Sequence, residues 1–214
     1  MNDPHEHLAR LVERYPVLKD GIHAVESAYG MIVECYRNGG TVLTCGNGGS
    51  SADSDHIVGE LMKGFLKKRP LPEAMQTALR AADPELGGVL ASRLQTALPA
   101  IDLSAQSALA TAFANDVDAS LIYAQQVLGY GRPADVLLGI STSGNASNVL
   151  AAFLAARAKG VRTIGLTGAS GGRMKDRCDL WIPVPAASTP DVQELHLPVY
   201  HCLCAMVEEH FFPK

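Results

Sequence analysis

The sequence predicts an α/β protein with a central parallel sheet flanked by helices, and three observations carry that expectation. Cys45-Gly46-Asn47-Gly48-Gly49-Ser50-Ser51 follows a short apolar run and opens onto a helical pattern. Ile140-Ser141-Thr142-Ser143-Gly144-Asn145 does the same further along the chain. This second unit passes through Gly160 to another β-rich run, Arg162 to Thr167, and such β-α-β order joins parallel strands through a covering helix.

The elements follow in order. Leu8, Leu11 and Val12, then Ile22, Val25, Tyr29, Ile32, Val33 and Tyr36, recur at helical spacing. They predict N-terminal helices over about residues 3–37, separated near Pro16. Asn38-Gly39-Gly40 ends the second helix, Thr41 to Cys45 reads as a strand, and the first loop leads to a helix over about Ala52 to Leu66. Residues 73–98 read as a helical excursion, Glu73 to Ala82 and Leu86 to Leu98, broken at Asp83-Pro84. Its alanine, glutamine and serine content suits a lid or a surface decoration, not a second core. Asp135 to Ile140 is the next strand, and Asn148 to Lys159 is its helix, with Gly160 as the stop. Leu180 to Val184 is a further strand, and Asp191 to Phe212 a long, mostly apolar terminal helix. Residues 1–214 together read as a single domain.

Composition bounds the function. With 47% hydrophobic and 19% charged residues in 214, the chain has enough apolar material for a sizeable core without staples. A net charge of −4 provides no broad basic surface, so direct nucleic-acid binding is not expected, although Lys63, Lys67, Lys68 and Arg69 form a local patch. Five cysteines without zinc-ribbon spacing read as reduced thiols. With neither a signal-peptide pattern nor an apolar run of membrane-spanning length, the expectation is a cytoplasmic protein with no membrane partner.

Both loops suit a phosphate group. Glycine lets backbone approach an anion, serine and threonine add hydroxyl donors, and a following helix offers its positive end. Ser50, Ser141, Thr142 and Ser143 are the hydroxyls so placed, and a phosphorylated small molecule is the expected ligand. Hydroxyls before a helix also serve as N-caps, and that reading stays open here. His56 and Glu60 lie four apart on the helix after the first loop. They share one face, and imidazole with carboxylate suits zinc, although the same spacing also describes an ordinary surface pair. Gln193 and His201 lie eight apart on the terminal helix, an offset of about 80° at ~3.6 residues per turn, so one broad face holds both. Four ligands from two helices become possible. His196 falls on the other side of Gln193 and reads as a structural or supporting histidine.

With these residues in place the chain resembles the sugar isomerase (SIS) family and, within it, the sedoheptulose 7-phosphate isomerases, also called phosphoheptose isomerases. The resemblance rests on Cys45 to Ser50 with His56 and Glu60, on Asn115-Asp116, on Asp135 through Asn145, and on Gln193-Glu194-Leu195-His196 with His201. It implies a three-layer SIS-type fold and a homotetramer with active sites between subunits. It also implies Zn²⁺ held by His56, Glu60, Gln193 and His201, with Glu60 and His201 as the catalytic acid/base pair. Asn47, Gly48, Gly49, Ser50, Asn115, Asp116, Ser141, Thr142 and Ser143, together with Glu60 and Gln193, fall at substrate-binding positions. The implied reaction turns sedoheptulose 7-phosphate into glycero-manno-heptose 7-phosphate through an enediol, which needs a base, a proton return and stabilisation of oxygen charge.

Two features depart from the family pattern. Ala146 stands where a serine commonly follows Ser-Thr-Ser-Gly-Asn, and the excursion over 73–98 is longer than the connection in compact members. Isomerisation of another sugar phosphate is therefore an alternative. A second alternative is a non-catalytic sugar-phosphate-binding regulator, because the replication DnaA initiator-associating protein is a relative whose C-terminal end is similar to Cys202 through Pro213. That relative breaks the ligand pattern at the positions of Glu60 and His201, whereas this chain retains both with His56 and Gln193.

Overall fold

The computed structural model describes residues 3–213. Five strands, β1 (Val42–Cys45), β2 (Ala100–Asp102), β3 (Val136–Ser141), β4 (Arg162–Thr167) and β5 (Leu180–Pro183), form one sheet in the order β2-β1-β3-β4-β5. Every pairing is parallel, with Val42 opposite both Ala100 and Val136, and Leu138 opposite Ile164. Every residue of β1 and β3 is buried, as a parallel sheet covered on both faces requires.

The covering helices are α1 (His5–Arg14), α2 (Ile22–Arg37), α3 (Gly49–Met62), α4 (Glu73–Ala82), α5 (Leu86–Arg93), α6 (Ser107–Phe113), α7 (Ile122–Tyr130), α8 (Ser147–Ala158) and α9 (Thr189–Phe211). Side chains alternate along each strand. Val42, Leu138, Ile140 and Ile164 point to one layer, where they pack with Ile32, Ile57, Leu61, Leu203 and Val207 of α2, α3 and α9. Leu43, Cys45 and Leu137 point to the other, against Tyr123, Val127, Val149 and Phe153 of α7 and α8. Gly139 is the close-approach point, since a Cβ there would lie 2.6 Å from the Phe153 ring. The result is a three-layer α/β/α fold.

Several boundaries differ from the sequence expectation. The helix expected from Ala52 begins at Gly49, so the loop itself supplies the first helical turn. It stops at Met62 because Lys63 is extended, with φ −137° and ψ 173°. The helix expected to reach Leu98 stops at Arg93, and Gln95 instead pairs with Pro70 while the Thr96 amide donates to the Arg69 carbonyl at 2.7 Å. β2 has no counterpart in the sequence reading. The excursion is a self-packed hairpin: a Cβ on Gly87 of α5 would meet the Leu79 carbonyl of α4 at 2.1 Å, and α4 buries none of its residues. Among the described residues no helix is long and apolar enough to cross a membrane.

Candidate active site

Strand β1 has β2 on one side and β3 on the other. The chain direction across the sheet therefore reverses between β1 and β3, and open α/β sheets bind ligands in the crevice outside the carboxyl ends at such a switch point. Both glycine-rich loops lie there, the first leaving β1 and the second leaving β3. Asn47 and Asn148 join them through reciprocal amide hydrogen bonds, each 2.9 Å. From α7 the Tyr123 hydroxyl donates to the Gly46 carbonyl. Gly48 and Gly144 sit at φ +55° and +65°, left-handed positions that glycine takes without a Cβ penalty.

The N-caps of α3 and α8 are Gly48 and Ala146, and neither helix has a side-chain cap bond. The Ser50, Ser141, Thr142 and Ser143 hydroxyls are therefore not used as caps, and the positive ends of both helix dipoles face the crevice. Ser50 and Ser141 are buried, Thr142 half-buried and Ser143 exposed.

Helices α3 and α9 pack side by side in the same direction. Gln193 lies over Gly49, where a Cβ would come within 2.2 Å of Gln193 Nε2. Further along, His56 Nε2 lies 3.1 Å from Glu60 Oε1 and 3.5 Å from His201 Nε2. The His56 and His201 rings meet edge-on with centroids 4.9 Å apart, and the Phe65 ring lies 5.3 Å from His201. Lys63 Nζ donates to Glu60 Oε2 at 2.8 Å. Burial pushes the Glu60 carboxyl up, but opposing contacts, led by the Lys63 hydrogen bond and charge, hold the group below its ordinary value. Burial, with the neighbouring His56, also lowers His201 and favours its neutral ring against the pull of Glu60.

The structure thus brings His56, Glu60 and His201 together. Gln193 sits eight residues before His201, about 12 Å along a helix rising ~1.5 Å per residue, at the end of the α3–α9 contact nearest the loops. Asn115 and Asp116 lie elsewhere, on an exposed π-helical turn (Ala114–Asp118) after α6, where the Asn115 amide donates to Asp116 Oδ1 at 2.8 Å. Among the described residues no hydrogen bond links them to the loops or to the histidines.

In a tetrahedral zinc site the ligand atoms stand about 3.3 Å apart when metal–ligand bonds are ~2.0–2.2 Å. The His56–Glu60 and His56–His201 separations of 3.1 and 3.5 Å fit two edges of such a site. Among the described residues no three His, Cys, Asp or Glu side chains are already assembled as a metal cage, and Glu60 is engaged by Lys63. The imidazole–carboxylate chemistry and these two spacings fit zinc.

The sequence reading missed several residues at this site. Lys63 and Phe65 lie just past the end of α3, and Asn148 lies in the first turn of α8. Tyr200 hydrogen-bonds His56 Nδ1 at 3.0 Å and Asp53 Oδ1 at 3.2 Å. Asn148 alone carried a visible signal, an amide residue one turn beyond the second loop. Beside His201 a groove of about 410 Å³ opens between α1 and α9, lined by Arg10, Arg14, Phe65, Leu66 and Leu197.

His196 takes a structural place on α9, with no exposed surface. Burial lowers its pKa from 6.5 to about 4, so the unfolded chain binds a proton that the folded chain refuses. Stability is intact above pH 6.5 and is lost as pH falls towards 4; a shift of this size corresponds to roughly 3 kcal/mol. Denaturant unfolding at pH 7 and pH 4.5 is expected to show a smaller acid loss in His196→Leu than in the parent.

The comparisons with known proteins agree with the fold. The SIS domain family matches residues 6–85 and 77–168. The phosphoheptose isomerase of Rhodospirillum rubrum is 41% identical over 192 residues, covering 90% of this chain and 88% of that one. Among solved structures, phosphoheptose isomerase GmhA from Neisseria gonorrhoeae superposes with a TM-score of 0.71 at 29% identity, covering 94% of this chain and 96% of that chain. The Francisella tularensis phosphoheptose isomerase gives 0.72 at 29% identity, with coverage of 94% and 98%. Fold and crevice together define a SIS-domain protein. Within that class the chain belongs to the phosphoheptose isomerase family.

Proposed function

We propose that this protein is an aldose-ketose isomerase that converts sedoheptulose 7-phosphate to glycero-manno-heptose 7-phosphate, working as a cytoplasmic, zinc-dependent homotetramer. The observation that carries the reading is the meeting of His56, Glu60 and His201 about two helical turns along α3 from a pair of uncapped phosphate-type loops. Seven residues of helix separate Gly49 from His56, or about 10 Å, a span suited to an extended sugar phosphate.

In this mechanism the loops bind the phosphate through Ser50, Ser141, Thr142 and Ser143 and the backbone of Asn47, Gly48 and Gly49. Remote binding energy then aligns the reacting carbons. The Glu60 carboxylate takes the carbon-bound proton and returns it to the adjacent carbon. His201, kept neutral by burial, moves protons between the hydroxyl and carbonyl oxygens. Glu60 presents Oε1 to His56 and accepts from Lys63 at Oε2. His56, Glu60 and His201, with Gln193 as a further donor, would hold zinc, which would supply Lewis-acid polarisation of the carbonyl. Asn115 and Asp116 contact the sugar once subunits assemble; exposed Leu109, Val117 and Leu121 around them suit burial in such a contact.

The test is to incubate pure protein with sedoheptulose 7-phosphate, with and without zinc. Aldose product is expected with zinc, and its absence at every metal loading overturns the reading. Light scattering is expected to give a tetramer mass. Thr142→Ala should raise KM, measured in initial-rate kinetics, because it removes a phosphate-end hydroxyl distant from the acid/base pair.

A further inference from the structure

We infer that Asp53 and Tyr200 form a positioning relay that fixes His56 as its Nδ1–H tautomer and leaves the Nε2 lone pair facing Glu60 and His201. Asp53 and His56 lie three residues apart on one face of α3, and the Tyr200 hydroxyl of α9 reaches both, at 3.2 Å from Asp53 Oδ1 and 3.0 Å from His56 Nδ1. A phenol has one proton to give, and an ionised carboxylate only accepts.

If Tyr200 gave its proton to His56, Asp53 would lose its donor. Its other oxygen, Oδ2, is buried without a partner among the described residues, so the carboxylate would be stranded at the cost of an unsatisfied buried acceptor. The assignment that keeps Asp53 Oδ1 its tyrosine donor has Tyr200 donating to Asp53 and accepting from His56 Nδ1–H. Packing holds this arrangement, since Tyr200 is 2% exposed and its ring meets the His56 and His201 rings edge-on at 5.5 and 5.1 Å.

The bare Nε2 then lies 3.1 Å from Glu60 Oε1. Two electron-rich atoms face each other across a gap that a cation would bridge. Imidazole ligands ordinarily donate their second ring nitrogen to an orienting group, and here a tyrosine hydroxyl anchored on Asp53 is that group. The relay's functional meaning rests on the zinc isomerase reading above, but the tautomer itself does not.

The experiment therefore has two arms. In metal-free protein, nitrogen NMR of the imidazoles at a pH where His56 is neutral is expected to show protonated Nδ1 and bare Nε2, and Tyr200→Phe should shift the ring towards the Nε2–H form. An Nε2–H tautomer in the parent, or an unchanged tautomer in Tyr200→Phe, overturns the relay. In the second arm, chelator competition is expected to show zinc affinity about 10- to 100-fold weaker in Tyr200→Phe. Asp53→Asn, which keeps a carbonyl acceptor for Tyr200, should lose much less than Asp53→Ala. Parent-like zinc affinity in both Tyr200→Phe and Asp53→Ala overturns the inference. Should Tyr200→Phe fail to fold, Asp53→Ala, with the Tyr200 ring still in the core, carries both arms. A parent protein that binds no zinc and isomerises no sugar phosphate sinks the functional reading, while the metal-free tautomer still decides the relay.

Discussion

Glu60→Gln is expected to lower kcat by about 10²- to 10⁴-fold, the usual contribution of a positioned general base, with KM changed far less. The amide is isosteric, and its oxygen can still accept from Lys63, which now lies 2.8 Å from Oε2. What disappears is the negative oxygen able to take a carbon-bound proton. The phosphate loops lie about three turns away at the start of α3, at ~3.6 residues per turn, so substrate anchoring survives and the loss falls on the chemical step. Zinc content measured on the same preparation separates loss of base from loss of metal. His201→Ala should give a deficit of similar size, and the double variant little more, because residues acting as a unit are not additive. The acid limb of the rate profile follows from the directions of the two shifts. His201 is lowered by burial, and Glu60 is held down chiefly by Lys63. Activity should therefore persist below the ordinary imidazole range near pH 6.5 and decline only as His201 and then Glu60 take up protons. A Glu60→Gln enzyme within a few-fold of the parent would remove Glu60 from the mechanism.

The legible parts of this chain are those whose chemistry is local. Glycine and hydroxyl residues wedged between an apolar run and a helical pattern show themselves within a few positions, and both loops lie at the carboxyl ends of β1 and β3. β2 escaped because three residues, Ala100–Asp102, are too few for a period-two pattern to emerge. The start of α3 escaped because Gly49, Ser50 and Ser51 carry no apolar periodicity. His56 and Glu60 were readable as a one-face pair from their i, i+4 spacing. That His201 meets them depends on α3 and α9 packing in the same direction, a tertiary fact that a resemblance can suggest and a spacing cannot. Tyr200 and Asp53 are the clearest case: a tyrosine inside an apolar helix reads as core, and only the folded contact shows its hydroxyl tying two side chains of another helix together.

Arg69→Ala and Glu208→Ala are each expected to cost about 3–5 kcal/mol of stability, the range for removing one partner of a buried ion pair. Arg69 has no exposed side-chain surface, Glu208 has 1%, and Arg69 Nε donates to Glu208 Oε1 at 2.7 Å. The same carboxylate accepts the backbone amides of Phe65, Leu66 and Lys67 at 2.8, 2.6 and 3.1 Å. The rest of the guanidinium closes the end of α3 by donating to the Leu61 and Glu60 carbonyls at 2.7 and 3.1 Å, and it stacks 4.7 Å from the Phe212 ring. Taking away Glu208 strands a buried cation and three amides; taking away Arg69 leaves a buried anion without its cation and strands two helix carbonyls. Glu208→Gln should cost less than Glu208→Ala because an acceptor oxygen remains. A hydrophobic double replacement at both positions should recover only part of the loss, since it cannot satisfy the amides of residues 65–67. The node also fixes the backbone of Glu60 and the approach of Phe65 to His201. Variants that still fold should therefore lose activity out of proportion to their distance from any substrate atom. Urea unfolding supplies the measurement, and a loss below about 1 kcal/mol, the range of an exposed pair, would show that the pair does not hold α3 to α9.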